Sequence, residues 1–162
     1  MIADRFDPIT GAILKSGNET ETIKKADELM AEGRSQRDPD DMDEAISLRP
    51  QDWTYRVSRG ALALERGDTK GMDEHLVVAQ ALASTNDKSK SNFAKQAIAE
   101  LEGVKSTLRE RHGKLSAVPT QCEALCRRLA QFYEMRGRQT GNADDLQLAK
   151  QYQADREQCW GQ

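Results

Sequence analysis

The chain has 162 residues, of which 31% are charged, 37% are hydrophobic and 5% are aromatic, and its formal net charge is −3. This length suits one domain with its own hydrophobic core. The composition is too apolar for a disordered chain, and it fits a charge-rich helical protein better than a β-sandwich. The acidic balance supplies no general positive field, so we expect neither nucleic acid nor a membrane surface as a partner.

Membrane insertion and export also lack support in the sequence. No segment approaches the roughly 18 to 20 apolar residues of a membrane span. Residues 1–18 are expected to form an N-terminal lead segment, in which Asp4, Arg5 and Asp7 interrupt any apolar run of a signal peptide. A cytoplasmic location is therefore expected. The alternative is an exported or periplasmic protein, if a leader has been removed and the cysteines are bridged.

Helices are predicted along the whole chain, because apolar residues recur at spacings of three and four. In the first half, capping residues at helix starts and Gly or Pro at helix ends give four helices. They run approximately over 20–33, 39–49, 53–67 and 69–82. Near the C-terminus, Thr120 and Glu123 form a capping-box pattern at the start of a helix that is expected to end at Gly137. Asn142 is expected to cap the last helix.

A spacing pattern of small residues organises these helices. At three predicted hairpin turns a small residue is followed seven positions later by glycine, at Ala26 and Gly33, Gly60 and Gly67, and Ala130 and Gly137. The first two instances are 34 residues apart. We expect the small residue to lie where two helices of a hairpin touch. The glycine would lie at the turn, where a left-handed backbone conformation suits it.

Residues 53–86 carry the clearest copy of this pattern, with Gly60, the Gly67-Asp68 turn, Leu76 and Ala79. The pattern resembles the tetratricopeptide repeat, a 34-residue helical hairpin. The resemblance implies an all-α fold, a single domain over 19–162 whose antiparallel hairpins stack as a short right-handed superhelix. The repeats would cover 19–52, 53–86, a degenerate 87–120, and 121–162.

The stretch 87–120 allows two interpretations. It is either a degenerate hairpin or one long helix that packs across its neighbours. The apolar residues alternate by three and four without a break, which favours the long helix. They are Ala94, Ala97, Leu101, Val104 and Leu108.

The resemblance implies a protein–protein interaction module, such as an adaptor, a scaffold or a dedicated chaperone, that binds a peptide or helix of a partner. The binding surface would come from the first helix of each hairpin, at Thr54, Val57, Ala61, Leu64, Arg127, Arg128 and Gln131. Its basic end suits a partner with an acidic flank. Two alternatives stay open. One is a structural subunit that assembles through its repeat ends, which would make the chain a homo-oligomer, and the other is a small helical enzyme of unrecognised type.

We expect no catalytic, cofactor-binding or metal-binding residues. Phosphate-binding glycine loops are absent from the sequence, and His75 and His112 have no zinc-type spacing to the cysteines. Cys122 and Cys159 lie almost equally far from a turn near Thr140, so an antiparallel hairpin would bring them level. Their Cα atoms should then lie within about 7 Å. Free thiols, a disulfide between these two residues, and a metal site are the three possible states of the cysteines.

Overall fold

The computed structural model describes residues 2–3, 5–6 and 14–160, with side chains from residue 19 onward. The chain forms two compact units, Met1–Tyr55 and Arg56–Gln162, where the sequence analysis expected a single domain over 19–162. Apart from one pair of two-residue strands, the regular structure of the described residues is helical. The predicted all-α class is therefore confirmed.

The first unit contains the strands β1 (Ile2–Ala3) and β2 (Arg5–Phe6), which pair antiparallel. These are followed by helices α1 (Leu14–Gln36) and α2 (Pro39–Leu48). Positions 1, 4 and 7–13 of the expected lead segment lie outside the described residues. Its last residues already belong to α1, which begins earlier than predicted. The core between α1 and α2 is made by Ala26, Met30, Met42 and Ala45, all buried.

Helix α3 (Trp53–Glu65) begins in the first unit and continues into the second. The second unit then contains α4 (Thr69–Ala83), α5 (Asp87–His112), a short 3-10 helix (Leu115–Ala117), α6 (Pro119–Thr140) and α7 (Ala143–Gln158). Helix α6 packs along α7, and α5 packs against both α4 and α6. Within the part of the chain that is described, no helix is long and apolar enough to cross a membrane.

The stretch 87–120 is mainly one long helix, as its apolar spacing indicated. Helix α5 has 26 residues, and seven of its apolar side chains lie on a buried face. They are Phe93, Ala94, Ala97, Ile98, Leu101, Val104 and Leu108, each 5% exposed or less. An uncovered apolar face on this helix would favour assembly of several copies, and the structure does not have one there.

Three hairpin turns, α1–α2, α3–α4 and α6–α7, are built in the same way. In each, a residue with positive φ follows the first helix: Arg37 at 54°, Gly67 at 90° and Gly141 at 74°. The next residue caps the second helix with its side chain, at Asp38, Asp68 and Asn142. The backbone N–H of each cap donates to the carbonyl five residues earlier, at Gly33, Ala63 and Gly137, over 2.9, 2.8 and 3.1 Å. This bond is the mark of a Schellman turn.

The turn geometry corrects the glycine register that the sequence suggested. Gly67 lies at a turn, but Gly33 and Gly137 lie inside α1 and α6, four residues before the left-handed position. The predicted helix ends at these two glycines are therefore wrong. A Cβ on Gly33 would lie 2.8 Å from Cγ of Met42, so the glycine allows close packing of two helices. Aligned by their caps, the first two turns are 30 residues apart, from Asp38 to Asp68.

One further expectation differs from the structure. The capping box at Thr120 and Glu123 is not formed, because α6 already begins at Pro119 and Val118 provides no side-chain cap. Glu123 instead pairs with two arginines.

Candidate functional site

An open groove of about 600 Å³ runs along the face shared by α6 and α7, and we call it the arginine groove. Its lining combines four arginines with one carboxylate, two glutamines and two apolar side chains: Arg127, Arg128, Ala130, Gln131, Glu134, Met135, Arg138, Gln153 and Arg156. A neighbouring depression of about 500 Å³ shares Glu134, Arg138 and Gln153 with it. The two together form a long, basic surface depression on the second unit.

Asp73 of α4 fixes one end of the groove. Nε and Nη2 of Arg128 donate to Oδ1 of Asp73 over 2.9 and 2.7 Å. Nη1 and Nη2 of Arg127 donate to the two carboxylate oxygens, each over 3.3 Å. Burial by itself raises the pKa of the Asp73 carboxyl, but the hydrogen bonds from Arg128 and Arg127 outweigh it and hold that pKa below its usual value. The carboxylate is thus ionised and keeps both guanidinium groups in place.

Glu123 joins the two helices that form the groove. Its Oε2 lies 2.7 Å from Nε of Arg156 on α7 and 3.4 Å from Nε of Arg127 on α6. Nη1 of Arg128 also donates to Oε1 of Gln131 over 3.0 Å. Arg127 and Arg128 are therefore held in a defined geometry before any ligand arrives, which lowers the entropy cost of binding.

Two of the groove arginines are more exposed than the others. Arg138 pairs with Glu134, one helical turn earlier, at 2.7 Å, and its side chain is 75% exposed. Arg156 is 44% exposed. Surface pairs of this kind are weak, about 1 kcal/mol or less. Arg138 and Arg156 can therefore exchange their present partners for a ligand at little cost.

The structure divides the predicted partner-binding residues into two groups. Arg127, Arg128 and Gln131 line the arginine groove. Val57, Ala61 and Leu64 are 1%, 4% and 0% exposed and belong to the core, and Thr54 is half-buried. The expectation of an exposed surface on α3 is thus corrected for these three residues.

The C-terminal end of α3 is covered by a later helix. The side-chain amide of Gln121 on α6 donates to the backbone carbonyls of Leu64 and Glu65 over 2.8 and 3.1 Å. Arg111 on α5 adds an ion pair to Glu65 at 2.9 Å. A hairpin pattern read from sequence does not show which later helix covers a given face.

Sequence reasoning missed the remaining groove residues. Glu134 and Arg138 continue the helical spacing of Arg127 and Gln131, but the predicted helix ended at Gly137. Gln153 and Arg156 join only through the α6–α7 hairpin, and Asp73 only through the packing of α4. The helical spacing of Glu134 and Arg138 could have identified these two residues from the sequence. No sequence signal pointed to the residues that α4 and α7 contribute.

The three cysteines come together where α6 begins and α7 ends. The Cα atoms of Cys122 and Cys159 lie 5.7 Å apart and their sulfurs are bonded, so the pair meets the distance limit that the hairpin register predicted. Cys126 is a free, buried thiol, and all three sulfurs lie within 4.8 Å of one another. Burial, and then the charge of Asp155, raises the pKa of the Cys126 thiol to about 11. At neutral pH this thiol is protonated.

A buried polar network ties α5 to α6 and α7. The carboxylate of Glu102 accepts hydrogen bonds from the hydroxyls of Tyr133 and Tyr152 over 2.7 and 2.8 Å, and Lys105 donates to the Tyr152 hydroxyl over 2.7 Å. Burial, and then the bond to Glu102, raises the pKa of both tyrosines. The groups satisfy one another's hydrogen-bonding capacity, and so the network acts as a clamp between helices.

The fold and the groove define a class of protein: an all-helical chain of hairpins with a charged, open groove on its last pair of helices. Comparison with protein-family models, with curated proteins and with solved structures finds no match to this chain.

Proposed function

We propose that this chain is a protein-interaction module that binds an acidic segment of a partner protein in the arginine groove. The observation that carries the proposal is the groove itself, which is open along its length and lined by four arginines and one carboxylate. An extended peptide or helix with several carboxylates can occupy such a surface. Positive and negative surfaces that match in this way favour the right partner and speed its encounter.

The geometry of the arginines supports a polymeric ligand over a small anion. Arg127 and Arg128 are held by Asp73, so much of their positive charge is already compensated at one end. The more accessible charges are Arg138, toward the α6–α7 turn, and Arg156, which shares Glu123 with Arg127. Met135 adds an apolar contact, and Gln131 and Gln153 add hydrogen-bonding groups. A ligand that uses charge, apolar contact and amide bonds over this length is a segment of protein.

The tetratricopeptide resemblance is part of the same proposal. The three turns with equivalent caps support a scaffold of repeated helical hairpins, and in such scaffolds the outer faces serve as binding surfaces. The 30-residue separation of the first two turns departs from the 34 residues of that family. We propose the stacked, superhelical arrangement and an adaptor, scaffold or chaperone role on the basis of the hairpins and the groove.

The test uses a photo-crosslinking residue in the native cell. We place it at Gln131, which is exposed in the groove, and, in a control chain, at Lys95, which is exposed on α5. The proposal expects one protein to be crosslinked from Gln131 and not from Lys95, with the crosslink mapping to an acidic segment. Equal crosslinking from both positions would contradict a specific groove.

Charge reversal then tests the groove against the identified segment. Arg138→Glu and Arg156→Glu are expected to weaken binding, because each removes an attractive charge and adds a repulsive one. The affinity of these variants should also depend less on the salt concentration than the affinity of the parent does. Lys95→Glu makes the same change in charge outside the groove and should leave the affinity almost unchanged. If all three variants bind like the parent, the groove is not the site.

A further inference from the structure

We propose that the reduced form of Cys122, Cys126 and Cys159 is a binding site for a thiophilic d¹⁰ cation, held by three thiolates. This cysteine cluster lies away from the arginine groove, and the inference does not depend on the proposed function. In the oxidised chain Cys122 and Cys159 are bonded to each other, so cation binding and the disulfide exclude one another.

The positions of the three sulfurs carry the inference. Cys122 and Cys126 lie one helical turn apart on α6, and Cys159 follows the last residue of α7. All three side chains are buried, with 4%, 1% and 3% exposure, and their sulfurs lie within 4.8 Å of one another. A cation with metal–sulfur bonds of about 2.3 Å needs sulfurs separated by about 3.8 to 4 Å. Breaking the disulfide lets the sulfurs of Cys122 and Cys159 separate to this distance. The sulfur of Cys126 then needs to move toward them by less than the radius of a sulfur atom.

A cavity beside the cluster makes the site reachable. It has a volume of about 230 Å³, and all three cysteines line it. Ser116 and Asp155 line it as well, and a water molecule in the cavity can supply a fourth ligand. A tetrahedral cation such as Zn²⁺ needs that fourth ligand, whereas Cu⁺ is satisfied by three sulfurs.

The electrostatic surroundings suit the filled site. Three thiolates around Zn²⁺ leave a net charge of −1, and around Cu⁺ a net charge of −2. Lys105 and Arg109 line the same cavity and offset part of this charge, to which Asp155 adds. A buried cluster of thiolates without such cations would be costly.

The chemistry balances with one named co-reactant. A dithiol reductant transfers two electrons and two protons to the Cys122–Cys159 bond, which becomes two thiols while the reductant becomes a disulfide. Cation binding then replaces the three S–H protons, which pass to solvent, and three metal–sulfur bonds form. Soft sulfur ligands select Zn²⁺ and Cu⁺ over the harder divalent ions.

The experiment titrates the full chain, reduced with a phosphine and kept free of oxygen, with Zn²⁺ and with Cu⁺ in competition with chromophoric chelators. We expect one equivalent to bind to the reduced chain and none to bind tightly to the oxidised chain. Reduced chain that binds neither ion overturns the proposal.

Cys126→Ser is the decisive variant, because it removes one sulfur and leaves the disulfide pair intact. In the reduced state, the affinity of this variant for the cation should fall by at least about 10- to 100-fold. Loss of a contact that only supports a metal ligand already causes a fall of that size, and here a ligand itself is lost. Equal affinity of Cys126→Ser and the parent overturns the three-sulfur site. Helical circular dichroism monitors the fold: if reduction abolishes it, recovery on addition of the cation supports the proposal, and failure to recover overturns it.

Discussion

Gly60 lies in the middle of α3, where the helix meets the backbone of α4. A Cβ at this position would lie 3.3 Å from the carbonyl oxygen of Met72 and 3.4 Å from Cγ of Leu76. We expect Gly60→Leu to lower the free energy of unfolding by about 1 to 3 kcal/mol, because the added side chain overpacks this contact. Urea denaturation followed by circular dichroism measures the change.

Gly103 provides the matched control for that substitution. It lies inside α5, and a Cβ there would meet nothing within 4 Å. Gly103→Leu should leave the stability unchanged or raise it by about 1 kcal/mol, since Leu is the better helix former. If both variants behave alike, the close approach of α3 and α4 at Gly60 is refuted.

Asp73 gives the groove a pH dependence whose sign follows from its lowered pKa. A carboxyl with a lower pKa in the folded than in the unfolded state stabilises the fold above the unfolded pKa. It loses that contribution as the pH falls through the folded pKa. We expect Asp73→Asn to be destabilising at pH 7, by about 1 kcal/mol or less because the side chain is 37% exposed. The difference from the parent should vanish when the pH falls well below the usual 3.8 of an aspartate. A deficit that is the same at both pH values would show that the ion pairs are not its cause.

At the scale of elements, the hairpin turns depend on their capping side chains. The Asn142 side chain accepts hydrogen bonds from the backbone amides of Asp144 and Asp145 over 2.8 and 3.3 Å. Asn142→Ala removes the acceptor and should cost about 0.5 to 2 kcal/mol in the free energy of unfolding. Asn142→Asp keeps the acceptor and should retain most of the stability. Thermal melts of the two variants test this capping role. If Asn142→Ala melts like the parent, the side chain is an ordinary loop residue and not a cap.

The starts of the helices were largely predictable at this scale, and the ends were not. Asp38, Asp52, Asp68 and Asn142 each supply a side-chain acceptor next to a helix start, and the structure uses all four. Glycine is ambiguous, because it serves both as a left-handed turn residue and as a residue that permits close packing. Gly67 does the first and Gly33 the second. Only the fold of the hairpin separates the two uses.

At the scale of the whole molecule, the Cys122–Cys159 bond closes a long loop, with a sequence separation of 37 residues. A cross-link of this kind restricts the unfolded chain and typically stabilises by about 2 to 4 kcal/mol. Reduction in the presence of a chelator should therefore lower the midpoint of urea unfolding. Cys159→Ser should do the same without reductant, and the reductant should then have no further effect. An unchanged midpoint in both experiments would mean that the bond does not hold α6 and α7 together.

The sequence by itself determined the helical class, four of the caps that begin helices, the long α5, and the level positions of Cys122 and Cys159. Each of these depends on local spacing or on counting residues from a turn, and so needs no knowledge of distant contacts. The tertiary structure decided which faces are buried. It covered Val57, Ala61 and Leu64, and it brought Asp73 to Arg127 and Arg128, which lie more than 50 positions later. Such pairings result from the packing of whole helices, which spacing along one helix does not encode.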